Sequence, residues 1–334
     1  MKVIAITPDR KSDTLAALVV EGLYANDIEV IGTSEGNGVR KRYTDEEVVE
    51  HSKDADYVFV IWGKPVSWNA PLKYHLLRRI GRPDITAYID GSEWSANGYM
   101  DSEYQDEEAL IDCSRLRGRP WINQEMFGYC RWYFKRVCFL EDIDMGLIPC
   151  YIGALNSYFR DWDEDKEFNT FLPCPNTEKG FTDPEQPLPS RTSATLVGVR
   201  QSVYKYCKQL KQSGVDILID KTFKFDAYLK VLARSYIGIS SWGAGNCCRT
   251  MFEMTANKVC CFVQRPIIVY PDKFVDGVSC VEYSTIEEFK YKLGYYRKNL
   301  DKCVEIGRNG YAHVRRYHTS KQRVQDMIST MKSS

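Results

Sequence analysis

Residues 236–263 read YIGISSWGAGNCCRTMFEMTANKVCCFV, and the order of apolar, glycine-rich and helical segments in this stretch decides the fold class. The stretch opens on an apolar run, residues 236–241, that is typical of a buried strand. A glycine-rich turn follows, and residues 246–257 then show helical periodicity. A second apolar run at residues 259–263 predicts another strand. Strand, helix and strand in this order form one unit of a parallel α/β sheet.

The same alternation runs along most of the chain. The strands predicted in the first half are residues 2–7, 28–33, 57–62 and 85–90, with two more in CFLED and IPCYIGA. The helices predicted beside them are residues 13–27, 45–54, 70–81 and 126–137. The second half adds predicted strands at 194–199, 215–220 and 278–283, helices at 202–214 and 225–235, and two closing helices. Such alternation is typical of doubly wound sheets.

Residues 161–193 interrupt this pattern with acidic residues, prolines and turn formers, which indicate a linker or a surface crossing. We therefore predict two Rossmann-like, doubly wound α/β domains that face a central cleft, an N-terminal one over residues 1–175 and a C-terminal one over residues 176–334. Ligands of open α/β sheets bind at the carboxyl ends of the strands. We expect the functional residues to follow strands and to line this cleft.

Composition narrows the class of protein. The chain has 45 lysines and arginines and 45 aspartates and glutamates. Its net charge therefore gives no indication of a protein that binds nucleic acid or membranes. GNGVRKRY, residues 36–43, is a local basic loop that could meet phosphates. The opening MKVIAITPDRKSD is too short an apolar run for a signal peptide or a membrane span, and we expect a cytoplasmic protein.

The cysteine and glycine patterns argue against several kinds of binding site. The twelve cysteines include no CxxC pair and several lie in apolar runs, so they indicate buried thiols in a reducing compartment. With only four histidines, none at ligand spacing from cysteines, a zinc site is not expected. No GxGxxG follows the first strand and no GxxxxGK[ST] occurs, so a dinucleotide or P-loop site is not supported. Any phosphate site must be built differently.

The opening stretch offers such a site. Gly243 and Gly245 let the backbone turn closely, and a helix starting near Asn246 presents free N–H groups and a positive dipole end to an anion. Arg249 adds a fork of donors suited to a diphosphate. Glu253, one turn later on the same face, could accept hydrogen bonds from two adjacent hydroxyls, as in a ribose. The alternative from spacing alone is an i,i+4 ion pair on a solvated helix face.

At these residues the sequence resembles the GT-B fold glycosyltransferases, whose second domain carries an arginine and a glutamate on a donor-binding helix. The resemblance covers about residues 193–331, and the tail is similar to that of CgeB-like and family 1-type transferases. In many relatives the arginine lies three residues before the glutamate, whereas Arg249 lies four before Glu253. The resemblance also implies that Gly198 and Arg200 contact the donor phosphates; the alternative for Arg200 is an exposed cap residue.

The first domain resembles the phage DNA β-glucosyltransferases in organisation. ITAYIDGSEW ends a strand in Asp90, and Arg119, Pro120 and Trp121 supply an RPW element as in those enzymes. Their strand-end aspartate is the catalytic base, which implies that Asp90 takes the proton of the acceptor hydroxyl, with Glu93 as the reserve candidate. The alternative for Asp90 is a turn or helix-cap aspartate.

The resemblance implies a metal-independent transfer of a sugar from a nucleoside diphosphate donor, with a UDP-sugar favoured, to an acceptor hydroxyl. No cofactor is expected beyond this co-substrate. Inversion of the sugar would use Asp90 as base, and retention would not need it. A glycan, a protein side chain and hydroxymethylated DNA are the acceptor classes considered. Aromatic residues near the predicted cleft entrance could stack on sugars or bases, although most such residues pack in cores: Trp62, Trp68, Trp94, Tyr99 and Trp121.

Three competing functions have weaker sequence support. Two Asp-x-Asp spacings, in CFLEDIDMG and RDWDED, would suit a metal-dependent GT-A enzyme, but a second βα series follows instead. A nucleotide-sugar 2-epimerase shares the two-domain fold, but its acidic and histidine constellation is not evident. A non-catalytic nucleotide-sugar-binding protein would keep Glu253 and Arg249 but tolerate loss of Asp90. His318, in the tail, is expected to be structural.

Overall fold

A computed structural model describes residues 1–8, 14–62, 73–91, 122–160, 165–173, 198–219, 223–241, 248–266 and 268–334. Within them lie two parallel sheets with helices packed on their faces. The first sheet has six strands and the second has five. The prediction of two doubly wound α/β units is confirmed.

The first sheet has the strand order β2-β1-β3-β4-β5-β6, and every neighbouring pair is parallel. Its strands are β1 (Lys2–Ile6), β2 (Glu29–Gly32), β3 (Tyr57–Trp62), β4 (Thr86–Asp90), β5 (Trp132–Lys135) and β6 (Ile148–Pro149). The central strands are apolar on both faces and almost wholly buried, as parallel sheets require. They hold the carboxyl edge of the sheet in a fixed position.

The helices of the first unit are α1 (Thr14–Ala25), α2 (Asp45–His51), α3 (Tyr74–Ile80), α4 (Gln124–Tyr129) and α5 (Leu140–Asp144). Local sequence sets several of their ends. Thr44 and Glu47 form a capping box at the start of α2, and Asn123 caps α4 by accepting from the N–H of Met126. Gly81 ends α3 with φ 62°, a conformation that glycine adopts without strain.

The second sheet has the order β11-β10-β9-β7-β8 and is also parallel. Its strands are β7 (Phe168–Phe171), β8 (Ile217–Leu218), β9 (Ser235–Ser240), β10 (Cys260–Gln264) and β11 (Val281–Tyr283). The helices that follow in the chain are α6 (Gly198–Gln212), α7 (Phe225–Ala233), α8 (Arg249–Thr255), α9 (Ile286–Tyr296), α10 (Leu300–Tyr317) and α11 (Ser320–Ser333). Residues 235–264 thus contain β9, α8 and β10.

Three predicted elements differ from the structure. The helix predicted at 126–137 ends at Tyr129, and residues 132–135 form β5 between β4 and β6. The strand predicted in CFLED is instead helix α5, where the Asp142 carboxylate accepts from the backbone N–H of Phe139. The strand predicted at 194–199 lies mostly outside the described residues, and Gly198 and Val199 belong to α6.

Along the described residues, the chain passes between the two units at two places. Strand β7 belongs to the second sheet although it precedes the predicted boundary near residue 175. Helix α11 returns to the first unit and packs along α1. Each unit of structure therefore includes a segment that the predicted ranges 1–175 and 176–334 place in the other.

The contact between α1 and α11 depends on a glycine. A Cβ atom at Gly22 would lie 2.2 Å from the carbonyl oxygen of Ser320 and 2.5 Å from Val324 Cγ2. Glu21 strengthens the contact because its Oε1 accepts from the Ser320 hydroxyl at 2.6 Å and from the N–H of Asn156 at 2.9 Å. The close approach of the two helices thus requires the absence of a side chain at residue 22.

The carboxyl edges of the two sheets meet where their loops touch. The N–H of Val269, in the loop after β10, donates to the carbonyl of Cys138, in the loop after β5, at 2.8 Å. Nearby, Tyr151 stacks on Tyr270 with ring centroids 4.1 Å apart. Since ligands of such sheets bind at these edges, the arrangement gives the predicted cleft a location. In the part of the chain that the structure describes, no helix has both the length and the apolar character needed to cross a membrane.

Candidate functional site

Helix α8 carries Glu253 into the interior at the carboxyl edge of the second sheet. It begins at Arg249, later in the chain than β9, and buries Met251, Phe252 and Met254. The Glu253 side chain is only 1 % exposed. A carboxylate is rarely buried to this degree without a partner or a function.

The two oxygens of Glu253 have different surroundings. Oε2 accepts a hydrogen bond from the Tyr228 hydroxyl at 2.8 Å. Oε1 lies 3.2 Å from Arg249 Nε, but it is buried and has no hydrogen-bond partner of acceptable geometry among the described residues. Burial raises the pKa of Glu253, while the charge of Arg249 and the Tyr228 hydrogen bond oppose the rise. One oxygen is therefore anchored and the other can take a better donor.

Arg249 lies at the first residue of α8 with its side chain 58 % exposed. It forms the i,i+4 ion pair that spacing alone allowed. The pair is not on a solvated helix face, because one partner is buried and the other reaches into solvent. This asymmetry leaves the guanidinium able to contact a ligand above the helix.

Asn257 ties this region to the segment that leads out of the first unit. Its side-chain amide donates to the carbonyl of Glu253 at 2.7 Å and to the carbonyl of Tyr158 at 2.9 Å. Tyr158 is buried, and burial, with the nearby charge of Glu253, raises its pKa. The predicted site thus contacts the inter-sheet segment directly.

Asp90 lies at the carboxyl end of β4, where the sequence predicts it, and is buried. In the parallel register of β4 and β5 it pairs with Lys135. The Tyr133 hydroxyl donates to Asp90 Oδ2 at 2.6 Å, and Lys135 Nζ lies 3.3 Å from the same oxygen. Burial lowers the pKa of Lys135, and the charge of Asp90 opposes this. Burial also raises the pKa of Tyr133.

Several predicted residues lie outside the described part of the chain: Glu93, Arg119, Pro120, Trp121, Gly243, Gly245 and Asn246. Gly198 and Arg200 are described, at the first turn of α6. Their contact with donor phosphates stays a prediction.

The predicted basic loop lies at the carboxyl end of β2. Arg40, Lys41 and Arg42 are exposed, and the N–H of Tyr43 donates to the carbonyl of Gly32 at 3.0 Å. Of the predicted aromatic residues, Trp62 is buried at the end of β3 and contributes to the core. Trp68, Trp94, Tyr99 and Trp121 lie outside the described residues.

His318 and most of the described cysteines lie in the interior. His318 is buried at the end of α10, and burial, followed by the charge of Arg323, holds its pKa well below the ordinary value. None of the described cysteines forms a disulfide, and burial raises the pKa of Cys138 and of Cys150 to about 12. Both findings agree with packing roles.

Sequence reasoning did not identify Tyr228, Tyr133, Lys135 or Asn257. The contact between Lys135 and Asp90 depends on the register of two strands more than forty residues apart, which periodicity does not give. Asn257 lies just beyond the end of α8, four residues after Glu253, and this i,i+4 spacing could have identified it from the sequence.

The comparison with protein families gives one match. Residues 191–329 match a family described as glycosyl transferase-like. This part of the chain is similar to that family, which agrees with the prediction of a glycosyltransferase-type enzyme. A search of curated proteins finds no match.

Solved structures share the fold over the whole chain. Anabaena HepE in complex with UDP has 11 % identity and a TM-score of 0.55, with both chains covered completely. An α-glucosyltransferase in complex with UDP-glucose and DNA containing an abasic site has 8 % identity and a TM-score of 0.53 over 99 % of this chain and 98 % of that one. A Rickettsia africae glycosyltransferase has 10 % identity and a TM-score of 0.53 over the same shares. These likenesses confirm the predicted GT-B fold.

Proposed function

We propose that the protein transfers a sugar from a nucleoside diphosphate donor, with UDP as the favoured nucleotide, to an acceptor hydroxyl. The observation that carries the proposal is the buried Glu253, whose Oε2 is anchored by Tyr228 while Oε1 has no hydrogen-bond partner of acceptable geometry among the described residues. A buried carboxylate with one such oxygen suits the adjacent hydroxyls of a ribose. UDP is favoured because HepE and the α-glucosyltransferase bind UDP or UDP-glucose.

Arg249 supplies the charge that the reaction needs at the donor diphosphate. Its exposed guanidinium lies beside Glu253, so one helix turn presents a side chain for the phosphate and a side chain for the ribose at neighbouring positions. Negative charge grows on the departing diphosphate as the sugar bond breaks, and a cation placed there stabilises the transition state. Arg200 is proposed as a second cation, from the family resemblance.

Asp90 is proposed as the base on the acceptor side of the cleft. It takes the proton of the acceptor hydroxyl as that oxygen bonds to the anomeric carbon, and the electron pair of the broken bond leaves with the nucleoside diphosphate. The position of Asp90 at a carboxyl edge, across from the second sheet, supports this role. The transfer so written inverts the anomeric carbon.

A donor screen tests the proposal. The protein is incubated with UDP-, GDP- and TDP-sugars, and release of the nucleoside diphosphate is measured with a glycan, a protein and hydroxymethylated DNA as acceptors. We expect UDP release in wild type, and loss of UDP binding in Glu253→Ala. Glu167→Gln is the control, since it removes an arginine-paired carboxylate at the opposite end of the second sheet.

The other possible outcomes of the screen separate the alternatives. No release from any donor, with no thermal shift by UDP, would contradict the transferase proposal. Donor binding without transfer to any acceptor would favour a non-catalytic nucleotide-sugar-binding protein. Interconversion of the free nucleotide sugar at C2 would favour an epimerase. Wild-type turnover in Asp90→Asn would remove only the assignment of the base.

A further inference from the structure

Lys135 is fully buried at the end of β5, with a side-chain exposure of 0 %. A lysine in such a place loses its hydration and requires an opposite charge nearby. Asp90 supplies that charge at 3.3 Å. The pair is therefore a fixed feature of the carboxyl edge, formed between neighbouring strands.

Tyr133 acts on the same carboxylate from two residues earlier in β5. Side chains two residues apart project to one face of a strand, so Tyr133 and Lys135 both lie beside Asp90. The hydroxyl of Tyr133 donates to Oδ2 at 2.6 Å, the oxygen that Lys135 also approaches. Two donors on one oxygen prevent rotation of the carboxylate without loss of a contact.

The direction of the tyrosine hydrogen is also fixed. The backbone N–H of Asn123, just before α4, donates to the Tyr133 hydroxyl oxygen at 2.9 Å. Since that oxygen accepts from Asn123, its own hydrogen is directed to Asp90. The chain of hydrogen bonds thus begins at a backbone group and ends at the carboxylate.

We propose that Lys135 and Tyr133 are positioning residues that hold Asp90 as an oriented anion on the acceptor side of the cleft. This inference rests on the proposed function, in which Asp90 takes the acceptor proton. A base must be unprotonated and correctly aligned before the acceptor arrives, and the two donors supply both conditions. Neither residue contacts the acceptor in this role.

Stability alone does not account for this arrangement. Replacing a buried ion pair by apolar residues of similar size is often neutral or stabilising. The β4–β5 face around the pair is already rich in aromatic residues, with Tyr88 and Tyr133 in ring contact at 5.0 Å. A fold that needed only packing here could have used another apolar pair.

The test compares Tyr133→Phe with Tyr88→Phe. Both remove one buried tyrosine oxygen from the same sheet face, but only Tyr133 bonds to Asp90 in the structure. For Tyr133→Phe we expect kcat to fall about ten-fold, a fraction of what general-base catalysis supplies, with the donor KM and UDP affinity unchanged. The acidic limb of the kcat–pH profile should move to higher pH, because a hydrogen bond to the charged carboxylate is lost. Tyr88→Phe should change neither.

Lys135→Met and Lys135→Arg extend the test. The first should shift the acidic limb further than Tyr133→Phe, and the second should restore much of it because the charge is kept. If Lys135→Met does not fold, the tyrosine pair decides alone. A Tyr133→Phe protein with the kcat and pH profile of Tyr88→Phe would overturn the inference while wild-type UDP release upholds the proposed function. Absence of UDP release in wild type would overturn both.

Discussion

At the scale of single residues, burial of Glu253 lowers the stability of the fold, while its carboxylate serves the proposed binding of UDP. The chain buries its carboxylate almost completely, and burial raises its pKa. For an acid whose pKa is higher in the folded protein, folding is favoured at low pH, and this contribution is lost as pH rises through the folded pKa. At neutral pH, therefore, the buried carboxyl of Glu253 works against stability.

We expect Glu253→Gln to melt at a higher temperature than wild type at pH 7 and to lose this advantage near pH 4, where the wild-type carboxyl is protonated. The same variant should bind UDP about ten- to a hundred-fold more weakly, because charge-assisted hydrogen bonds to the ribose are lost. Thermal melts at both pH values and UDP titration measure the two effects. An unchanged UDP affinity would contradict the role of the carboxylate.

Lys166 provides a second residue-level prediction with the opposite sign. Its ammonium donates to three backbone carbonyls, those of Ala233, Ser235 and Lys258, and burial lowers its pKa to about 8. Between pH 8 and the ordinary lysine pKa, the unfolded chain binds a proton that the folded chain has released, so stability rises with pH.

The melting temperature of wild type should consequently increase relative to Lys166→Met as pH rises from about 8 to about 10. Lys205→Met, at an exposed residue of α6, serves as the control and should show no such increase. A constant difference across this pH range would show that the contribution of Lys166 is not linked to its titration.

At the scale of elements, periodicity predicted most helices and strands but not the split at residues 126–137. Aromatic and basic residues in MFGYCRWYFKRV fit one face of a helix, yet Trp132, Tyr133 and Phe134 are buried on both faces of a strand between β4 and β6. Only the tertiary position of this segment, central in the sheet, favours the extended form. A local pattern does not contain that information.

The residues of the candidate site were likewise predicted only in part from the sequence. Position after a strand and spacing within a helix led from the sequence to Arg249 and Glu253, and the family resemblance led to Asp90. The residues that anchor their carboxylates, Tyr228 and the pair Tyr133 and Lys135, come from other elements. Their contacts follow from strand register and helix packing, which one sequence does not reveal.

The α1–α11 contact gives an element-level prediction. In Gly22→Ala the added methyl would meet backbone at Ser320, which cannot move as a flexible side chain can. We expect a loss of about 1–3 kcal/mol in the free energy of unfolding, as for overpacked cores. Gly128→Ala, in α4, has no heavy atom within 4 Å of its new Cβ and should be neutral or slightly stabilising. Urea melts of both variants measure the difference.

At the scale of the whole molecule, the two sheets are joined by more than a linker. The Val269 to Cys138 hydrogen bond, the Tyr151–Tyr270 stack and the returning helix α11 connect them. We therefore expect the two units to unfold together, so that a ligand that binds only the folded second unit should stabilise the first as well.

UDP at a hundred times its dissociation constant should raise the free energy of unfolding by about 2.7 kcal/mol. Trp62 and Trp132 are buried in the first sheet, so tryptophan fluorescence carries a signal from the first unit, whereas circular dichroism reports on both units. We expect both signals to shift to the same higher melting temperature with UDP. A tryptophan transition that UDP leaves unchanged would mean that the units unfold independently.

The return of α11 also has a consequence for synthesis. Helix α1 begins at Thr14 and its partner α11 at Ser320, so roughly 300 residues of translation separate them. At about 5–20 residues per second, the ribosome needs about 15–60 seconds to deliver α11 after α1 has formed. During that interval the Gly22 face of α1 is uncovered on the nascent chain. We therefore expect chaperones that bind apolar surface to meet this protein during translation, at its first helix.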